Sequence, residues 1–546
     1  MLNKRLKGLR LTFFQSPKSH QAVILSALWI TAFCNYAQFS RIFAWQLTSG
    51  SDFFLVASLV LFQFFLLIVI FSILTFHPLY RWVMALIFFI TAISSYFSDS
   101  FGTVIDRDML INAVQTNAGE AKDLLTPRLL LYLLVFFALP TYWLFRWNKP
   151  VTRFYSQLKN HLLLATAGFL GCVLLVGSMS SFYVSFFREH KELRVYSSPL
   201  DLIYATYQVI RKDLMAADRP HQTIGGDATI PSSDVDRELM ILVVGETARS
   251  DHFSLNGYQR ETNPLLQKRD VVSFSNVSSC GTSTAVSVPC MFSSKGRQNF
   301  KGNEFTSEDN LLDILKRSGV SILWRDNNSS SKGVADRVEY QDFTSSDSNP
   351  LCDIECRDEG MLADLDAFVE SHPDGDILIV LHQMGSHGPA YNERVPDEFK
   401  RFAPVCESKQ LDQCSEEQII NSYDNTILYT DYVLDKAISV LKKYDDQFET
   451  VFMYVGDHGE SLGEKGVYLH GLPYFLAPDA QKTVPLIIWF GAQHHDLDIE
   501  RLARMRDGAI SHDYVFHTVL GIFEVESEVR DPSMDLEALA EKPDIK

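Results

Sequence analysis

Positive charge is in deficit in this 546-residue chain: 49 Lys and Arg stand against 67 Asp and Glu, a net charge of −18 with a sequence pI near 5.3. A protein that grips a phosphate backbone needs a basic face to displace counterions, so nucleic acid is not an expected partner. Cysteine is scarce, eight residues in all, and no internal repeat is evident. The charge that is present is unevenly placed. Residues 1–190 carry 15 Lys and Arg against 7 Asp and Glu, whereas residues 191–546 carry 34 against 60. One chain therefore joins two chemically different parts, in a length that suits two to four domains of about 150 residues.

Charge is missing altogether from five stretches: Ala22–Phe39, Phe53–Phe76, Trp82–Phe97, Leu129–Phe145 and Leu162–Phe187 contain no Asp, Glu, Lys or Arg. A helix rising about 1.5 Å per residue needs about 20 mostly apolar residues to cross a ~30 Å hydrocarbon layer, so five membrane spans are expected. Trp82–Phe97 is the shortest; Tyr80, Arg81 and Trp82 offer it an interfacial anchor, and a re-entrant or buried helix is its alternative. Lys4, Arg5, Lys7, Arg10 and Lys18 before the first span, and Arg146, Lys149, Arg153 and Lys159 between the fourth and fifth, mark the cytoplasmic side. Five crossings then put the acidic half on the opposite side, the periplasm of a bacterium. The first span is not expected to be a cleaved signal, because its basic region is long and no small-residue cleavage pattern follows it.

Cys34 and Cys172 fall in spans, while the other six form close pairs in the acidic half: Cys280/Cys290, Cys352/Cys356 and Cys406/Cys414. Sequential pairing into three disulfides is the simplest arrangement and suits an oxidising compartment. Metal binding is the competing reading, although no pair has a companion at zinc-ribbon spacing.

Beyond the spans, Leu200, Ile203, Tyr204, Tyr207, Ile210 and Leu214 recur at helical spacing, and His221–Asp236, rich in Gly, Pro, Ser and Asp, reads as a linker. The expected division is a transmembrane domain over 1–190, a juxtamembrane helix and linker over 191–237, and a periplasmic catalytic domain over 238–546. In that last part the apolar runs Leu239–Val244, Val320–Trp324, Ile377–Leu381, Thr450–Val455 and Val484–Trp489 alternate with the helix-like Asn310–Arg317 and Asp424–Lys443. The alternation predicts a mostly parallel sheet between two helical layers, with ligands gathered at the carboxyl ends of the strands.

Three of the runs lead straight into polar clusters: Gly245-Glu246-Thr247, His382-Gln383-Met384-Gly385-Ser386-His387-Gly388-Pro389, and Gly456-Asp457-His458-Gly459-Glu460. Glu246, Asp457 and His458 make a mixed oxygen and nitrogen set suited to zinc; Glu246 alone would equally suit a helix start. The hydroxyl-rich Cys280-Gly281-Thr282-Ser283-Thr284 segment, closed by Pro289-Cys290, can present an oxygen to that metal. A neutral hydroxyl is a poor nucleophile near pH 7, but a metal favours its alkoxide and offsets charge on a phosphate during in-line displacement. Spacing alone leaves Thr282, Ser283 and Thr284 as rivals for that role.

Together these motifs, with His470-Gly471, resemble the phosphoethanolamine transferases that modify lipid A, a family that includes the mobile colistin resistance enzymes, within the alkaline phosphatase and sulfatase superfamily. The resemblance extends over spans, linker and soluble domain. It implies a five-helix transmembrane domain followed by an α/β/α sulfatase-like domain. It further implies Glu246, Thr284, Asp457 and His458 as ligands of one tightly bound zinc, with Thr284 the nucleophile. His387 and His470 match residues near the substrate phosphate that can join an additional zinc. Asn328, Ser329 and Lys332 match substrate contacts, and Asn112, Thr116 and Glu120 match residues linked to the donor headgroup. Those three are spaced to share one helical face, which could also be simply solvated; Lys332 alone would read as a surface lysine. Ser331 and Ala335 stand where many relatives carry a cysteine pair, which leaves the placement of Ser329 and Lys332 open.

The expected protein is thus a monomeric, zinc-dependent inner-membrane transferase moving phosphoethanolamine from phosphatidylethanolamine to a lipid A phosphate through a phosphorylated threonine, with polymyxin resistance as the outcome. A transferase for another periplasmic glycan, a phosphoglycerol transferase and a phosphodiesterase are the enzymatic alternatives. A sulfatase would need a Cys-x-Pro-x-Arg motif that the Thr284 segment does not offer. A silent sensor that keeps the fold is the non-enzymatic one, and the full ligand set speaks against it.

Overall fold

The computed structural model describes residues 19–44, 50–75, 79–116, 118–146, 154–211, 220–494 and 497–541. Lys4, Arg5, Lys7, Arg10, Lys18, Phe76, Lys149, Arg153 and Leu214 lie outside them. The chain divides into two compact units, one made of residues 1–106 and 125–205, the other of residues 107–124 and 206–546.

In the first unit, Phe53–Leu74, Tyr80–Phe101, Pro127–Arg146 and Gln157–Ser178 are helices long and apolar enough to cross a membrane. The expected first span is not one straight helix. His20–Phe33 and Tyr36–Phe43 meet at 53°, and the pair counts as a fifth span if taken together. At the break the Ala37 N–H, which a straight helix would pair with the Phe33 carbonyl, donates instead to Asp99 Oδ1 at 2.9 Å. Asn35 Nδ2 adds a bond at 3.0 Å to the Ile30 carbonyl, which also accepts the Cys34 N–H. The last expected span, Leu162–Phe187, is likewise two helices, Phe154–Ser178 and Ser180–Glu189. Gly168 brings the former close to Gly50–Leu74: an added Cβ would come within 3.0 Å of the Phe65 carbonyl.

The second unit is built on an eight-stranded sheet. Its strands are β1 (Glu238–Gly245), β2 (Val272–Ser278), β3 (Ser321–Asp326), β4 (Glu339–Asp342), β5 (Ile377–His382), β6 (Glu449–Gly456), β9 (Thr483–Phe490) and β10 (Ile510–Ser511); β7 (Ser461–Leu462) and β8 (Tyr468–Leu469) pair separately. The order is β10-β2-β9-β6-β1-β5-β3-β4. β6, β1, β5 and β3 are parallel, as the apolar runs predict, and β4, which no run announced, pairs parallel to β3, but β9 runs antiparallel to both β6 and β2.

Every residue of β1 and β5 is buried, which is why these strands read as unbroken apolar runs. Met240, Leu242 and Val244 share a core with Leu312 and Leu315 of helix Leu311–Ser318 and with Phe516, Val519 and Leu520 of helix Asp513–Ile522. Helix Glu416–Leu441 packs on β1 and β6. It begins eight residues before the expected Asp424 because Ser415 and Gln418 form a capping box. Its first turns bury Asn421, Ser422 and Asn425, which hides the apolar period there. The stretch 221–231 lies along this unit: Gln222 bridges to Glu308, Thr229 to Glu526, and Ala228 belongs to the core.

Candidate metal and phosphoryl-transfer site

Register sets the site. Gly245 pairs with Gly456, Val244 with His382, and His382 with Asp326, so four adjacent parallel strands end in one row. The residues that follow, Glu246, Asp457, Gln383 and Asn327, therefore emerge on one edge, where open α/β sheets gather ligands. Close packing keeps the row tight. A Cβ at Gly245 would meet the Tyr454 ring at 2.3 Å, and one at Gly385 would meet the Glu246 carbonyl at 2.8 Å.

Thr284 opens helix Thr284–Met291, which the Cys280–Cys290 disulfide ties to the segment before it. The other two sequential disulfides, Cys352–Cys356 and Cys406–Cys414, are also formed, with Cys34 and Cys172 free. Among the three rival hydroxyls, Thr282 Oγ1 donates to the Leu472 carbonyl at 2.6 Å and so faces away. Thr284 Oγ1 donates to Glu246 Oε2 at 3.0 Å and lies 3.3 Å from His458 Nε2. His458 Nε2 is also 3.4 Å from Glu246 Oε1 and 3.3 Å from Asp457 Oδ2. The four expected zinc ligands thus converge, every one of them buried.

The second histidine pair lies alongside. The His470 ring is 4.4 Å from that of His458 and 5.3 Å from that of His387. Ligand atoms of Glu246, His458 and His470 all fall within 4.8 Å of one another, so these three residues could also hold a metal together.

Electrostatics point the same way. Burial, then the Asp457 charge, raises the Glu246 carboxyl above its ordinary range, and burial pushes Asp457 up to about 7. Burial, then His470, lowers His458 to about 4. Glu246 Oε1 and Asp457 Oδ2 are buried without a hydrogen-bond partner among the described residues. Two desolvated carboxylates with unfilled lone pairs, beside neutral imidazoles and a hydroxyl, form a costly arrangement that a divalent cation would relieve. The residues fit zinc.

Asn328 does not face outward as a plain substrate contact would: its Nδ2 donates to Glu246 Oε2 at 2.8 Å and to the Gln383 carbonyl at 2.9 Å. Ser329 accepts from Lys332 Nζ, and Lys332 adopts φ 52°. Where relatives have the cysteine pair, the Ala335 N–H donates to Ser331 Oγ at 3.2 Å, both residues buried, so a hydrogen bond closes this loop. Asn112, Thr116 and Glu120 do not share one helix. Helix Arg107–Gln115 stops where Thr116 Oγ1 donates to the Asn112 carbonyl at 2.9 Å, and Glu120 lies on a separate helix, Ala118–Asp123.

Several supporting residues carry no signal in the sequence. Asp358, far from the site in the chain, accepts from Met384 N and Gly385 N at 2.9 Å each and fixes the loop before His387. Asp326 Oδ2 accepts from His382 Nδ1 at 3.1 Å beneath the site. Glu460 was visible as part of its motif; its role was not. It binds His470 Nδ1 at 2.8 Å and Tyr391 OH at 2.6 Å, and burial pushes its carboxyl up to about 8.

Residues 63–214 match the family described as phosphoethanolamine transferase EptA/EptB, and residues 238–525 match the sulfatase family. The chain is 41% identical over 520 residues to phosphatidylethanolamine transferase Mcr-1 of Escherichia coli, covering 92% of this chain and 94% of the relative. It is 38% identical over 530 residues to phosphoethanolamine transferase EptA of Escherichia coli strain K12, covering 94% and 95%. Among solved structures, the integral membrane lipooligosaccharide phosphoethanolamine transferase A of Neisseria meningitidis superposes with a TM-score of 0.92 at 34% identity, covering 96% of this chain and all of that one.

Proposed function

Because the chain belongs to the phosphoethanolamine transferases, multi-pass membrane enzymes with a sulfatase-like domain, we propose that it transfers phosphoethanolamine from phosphatidylethanolamine to a lipid A phosphate on the periplasmic face of the inner membrane. The observation that carries this reading is the Thr284 hydroxyl, 3.0 Å from Glu246 and 3.3 Å from His458, in a chain whose other half is membrane helix. The relative named for phosphatidylethanolamine supports the donor, and the cationic loops of the spans support the orientation.

Glu246, Thr284, Asp457 and His458 would hold a zinc ion, with His470 within reach of the same ligand cluster. Bound there, zinc supplies Lewis acidity that favours an ionised hydroxyl and offsets phosphate charge. The chain's own residues do the rest. The hydrogen bond to Glu246 gives the Thr284 proton an acceptor. Thr284 Oγ1 gives up its proton and forms the new bond to phosphorus, the bond to the diacylglycerol oxygen breaks, and that oxygen takes up a proton as diacylglycerol leaves. A lipid A phosphate oxygen then displaces Thr284, forming a diphosphate bond and restoring the hydroxyl. Thr284 stands at the start of its helix, where free backbone N–H groups favour an anion. His387 and His470 flank the same space and can hydrogen-bond the remaining phosphate oxygens. Both substrates are lipids, so anchoring the domain at the bilayer confines their encounter. The added ethanolamine cations would weaken binding of cationic peptides such as polymyxins.

Mass spectrometry of lipid A from cells with the protein, without it, and with Thr284→Ala tests the proposal. The expected result is one phosphoethanolamine mass gain with the native chain alone. Full modification by Thr284→Ala removes the threonine mechanism, and turnover of phosphatidylethanolamine with no modified lipid A makes the protein a phosphodiesterase.

A further inference from the structure

Residues 107–124, which lie in sequence between two spans, fold with the catalytic unit. Helix Arg107–Gln115 contains no buried residue. It packs on helix Thr284–Met291, with the Met109 sulfur 2.9 Å from where a Cβ would stand on Gly471, next to His470.

The other end of the segment is fixed by charge. Asp123 has a side chain only 7% exposed, and both its oxygens are taken: Oδ2 by Arg394 Nη2 and Oδ1 by Lys409 Nζ, each at 2.8 Å. The Arg394 side chain, 4% exposed, also donates to Glu355 and, through Nε at 2.9 Å, to the carbonyl of His387. Lys409 reaches Glu393 as well, at 2.9 Å. Glu355 sits inside the Cys352–Cys356 loop and Lys409 inside the Cys406–Cys414 loop. Carboxylate oxygens of Asp123, Glu355 and Glu393 lie within 4.8 Å of one another. Three acids so close would repel, and the two interleaved cations reverse the sign.

We propose that Arg394 and Lys409, held by the two small disulfide loops, form a socket for Asp123 that fixes segment 107–124 against the His387 loop, making Asp123 and Arg394 positioning residues for the donor lipid. The inference rests on the phosphatidylethanolamine-transfer reading. One guanidinium joins the backbone of His387 to the segment that carries Asn112 and Thr116, so a shift of the segment is transmitted to the site through two hydrogen bonds. Without the Asp123 charge, Arg394 keeps Glu355 and Lys409 keeps Glu393, so what is lost is the pair of charge-assisted bonds that ties the segment to the socket. The disulfides confine Glu355 and Lys409 to short loops, so the socket does not have to be ordered afresh when lipid binds.

The test uses the full-length, metal-loaded protein. In Asp123→Asn, backbone amides of 107–124 are expected to exchange about tenfold faster or more. The KM for phosphatidylethanolamine, followed by diacylglycerol release, is expected to rise about tenfold, with kcat and metal content nearly unchanged. Asp123→Glu is expected to restore both. Unchanged exchange overturns the socket. Faster exchange with an unchanged KM, or a fall in kcat and metal content that matches the rise in KM, overturns the positioning role. Absence of phosphatidylethanolamine turnover by the native protein would defeat the functional reading instead, and the exchange measurement would still decide the socket.

Discussion

At the carboxyl end of β1, Glu246 lies buried beside Asp457; at its amino end, Glu238 lies buried beside Asp376, whose Oδ1 accepts the Glu238 N–H at 3.2 Å. Burial raises the first carboxyl of each pair, and the neighbouring acid raises it further. Each pair also leaves a carboxylate oxygen without a partner among the described residues. What differs is the company. Glu246 and Asp457 lie among the His458 and His470 imidazoles and a hydroxyl, whereas the other charges that raise Glu238 are those of Asp234 and Glu524. The same chemical problem thus has two solutions on one strand: a place for a cation at one end and a retained proton at the other. Burial of a carboxyl pair does not by itself mark a catalytic centre; the donors gathered round it do.

That contrast can be broken at either end. The largest effect is expected from Glu246→Gln: zinc measured by mass spectrometry of the purified protein should fall away together with transfer, by more than the roughly 10- to 100-fold that loss of a supporting partner costs. Retained zinc and activity would mean that both ends are neutralised alike. Asn328→Ala removes the hydrogen bonds that tie Glu246 to the Gln383 carbonyl and leaves the expected ligands themselves in place, so metal affinity, read by competition with a chelator, should weaken about 10- to 100-fold.

Glu238→Gln should give the smallest change, and only in stability. The folded-state pKa of Glu238 is raised, so its contribution is complete below the unfolded value of about 4.5 and is lost as pH climbs towards the folded value. The amide carries no such dependence. Melting curves from pH 5 to 9 should therefore run flatter in the variant, with the gain at the alkaline end. A parallel pair of curves would show that the proton is not where the comparison puts it.

The central strands were legible in the sequence because burial on both faces leaves uninterrupted apolar runs, and the polar residues after β1, β5 and β6 announced the site edge. β2 was missed because its second half, Ser275 and Asn276, turns partly outward. β4 and β10, four and two residues long, carry too little pattern. The antiparallel course of β9 depends on its connections, which side-chain periodicity does not encode. Glu246, Asp457 and His458 could be picked out because strand ends concentrate chemistry. Thr284 needed the family likeness, since three adjacent hydroxyls differ only in the direction the helix start gives them. Asp358, Tyr391 and Arg394 act through hydrogen bonds to loops remote in sequence, so no local spacing betrays them.

Residues 221–231 also decide where the catalytic half can be cut free. Gly225 sits against Ile314 and Val529, His221 bonds Asp309 at 2.7 Å, and Thr229 is laced to Glu526. A truncation starting at the first strand would strip an apolar floor from beneath the sheet's helical cover. The natural point of excision lies upstream of His221, and a soluble version meant for inhibitor screening should carry that strap with it.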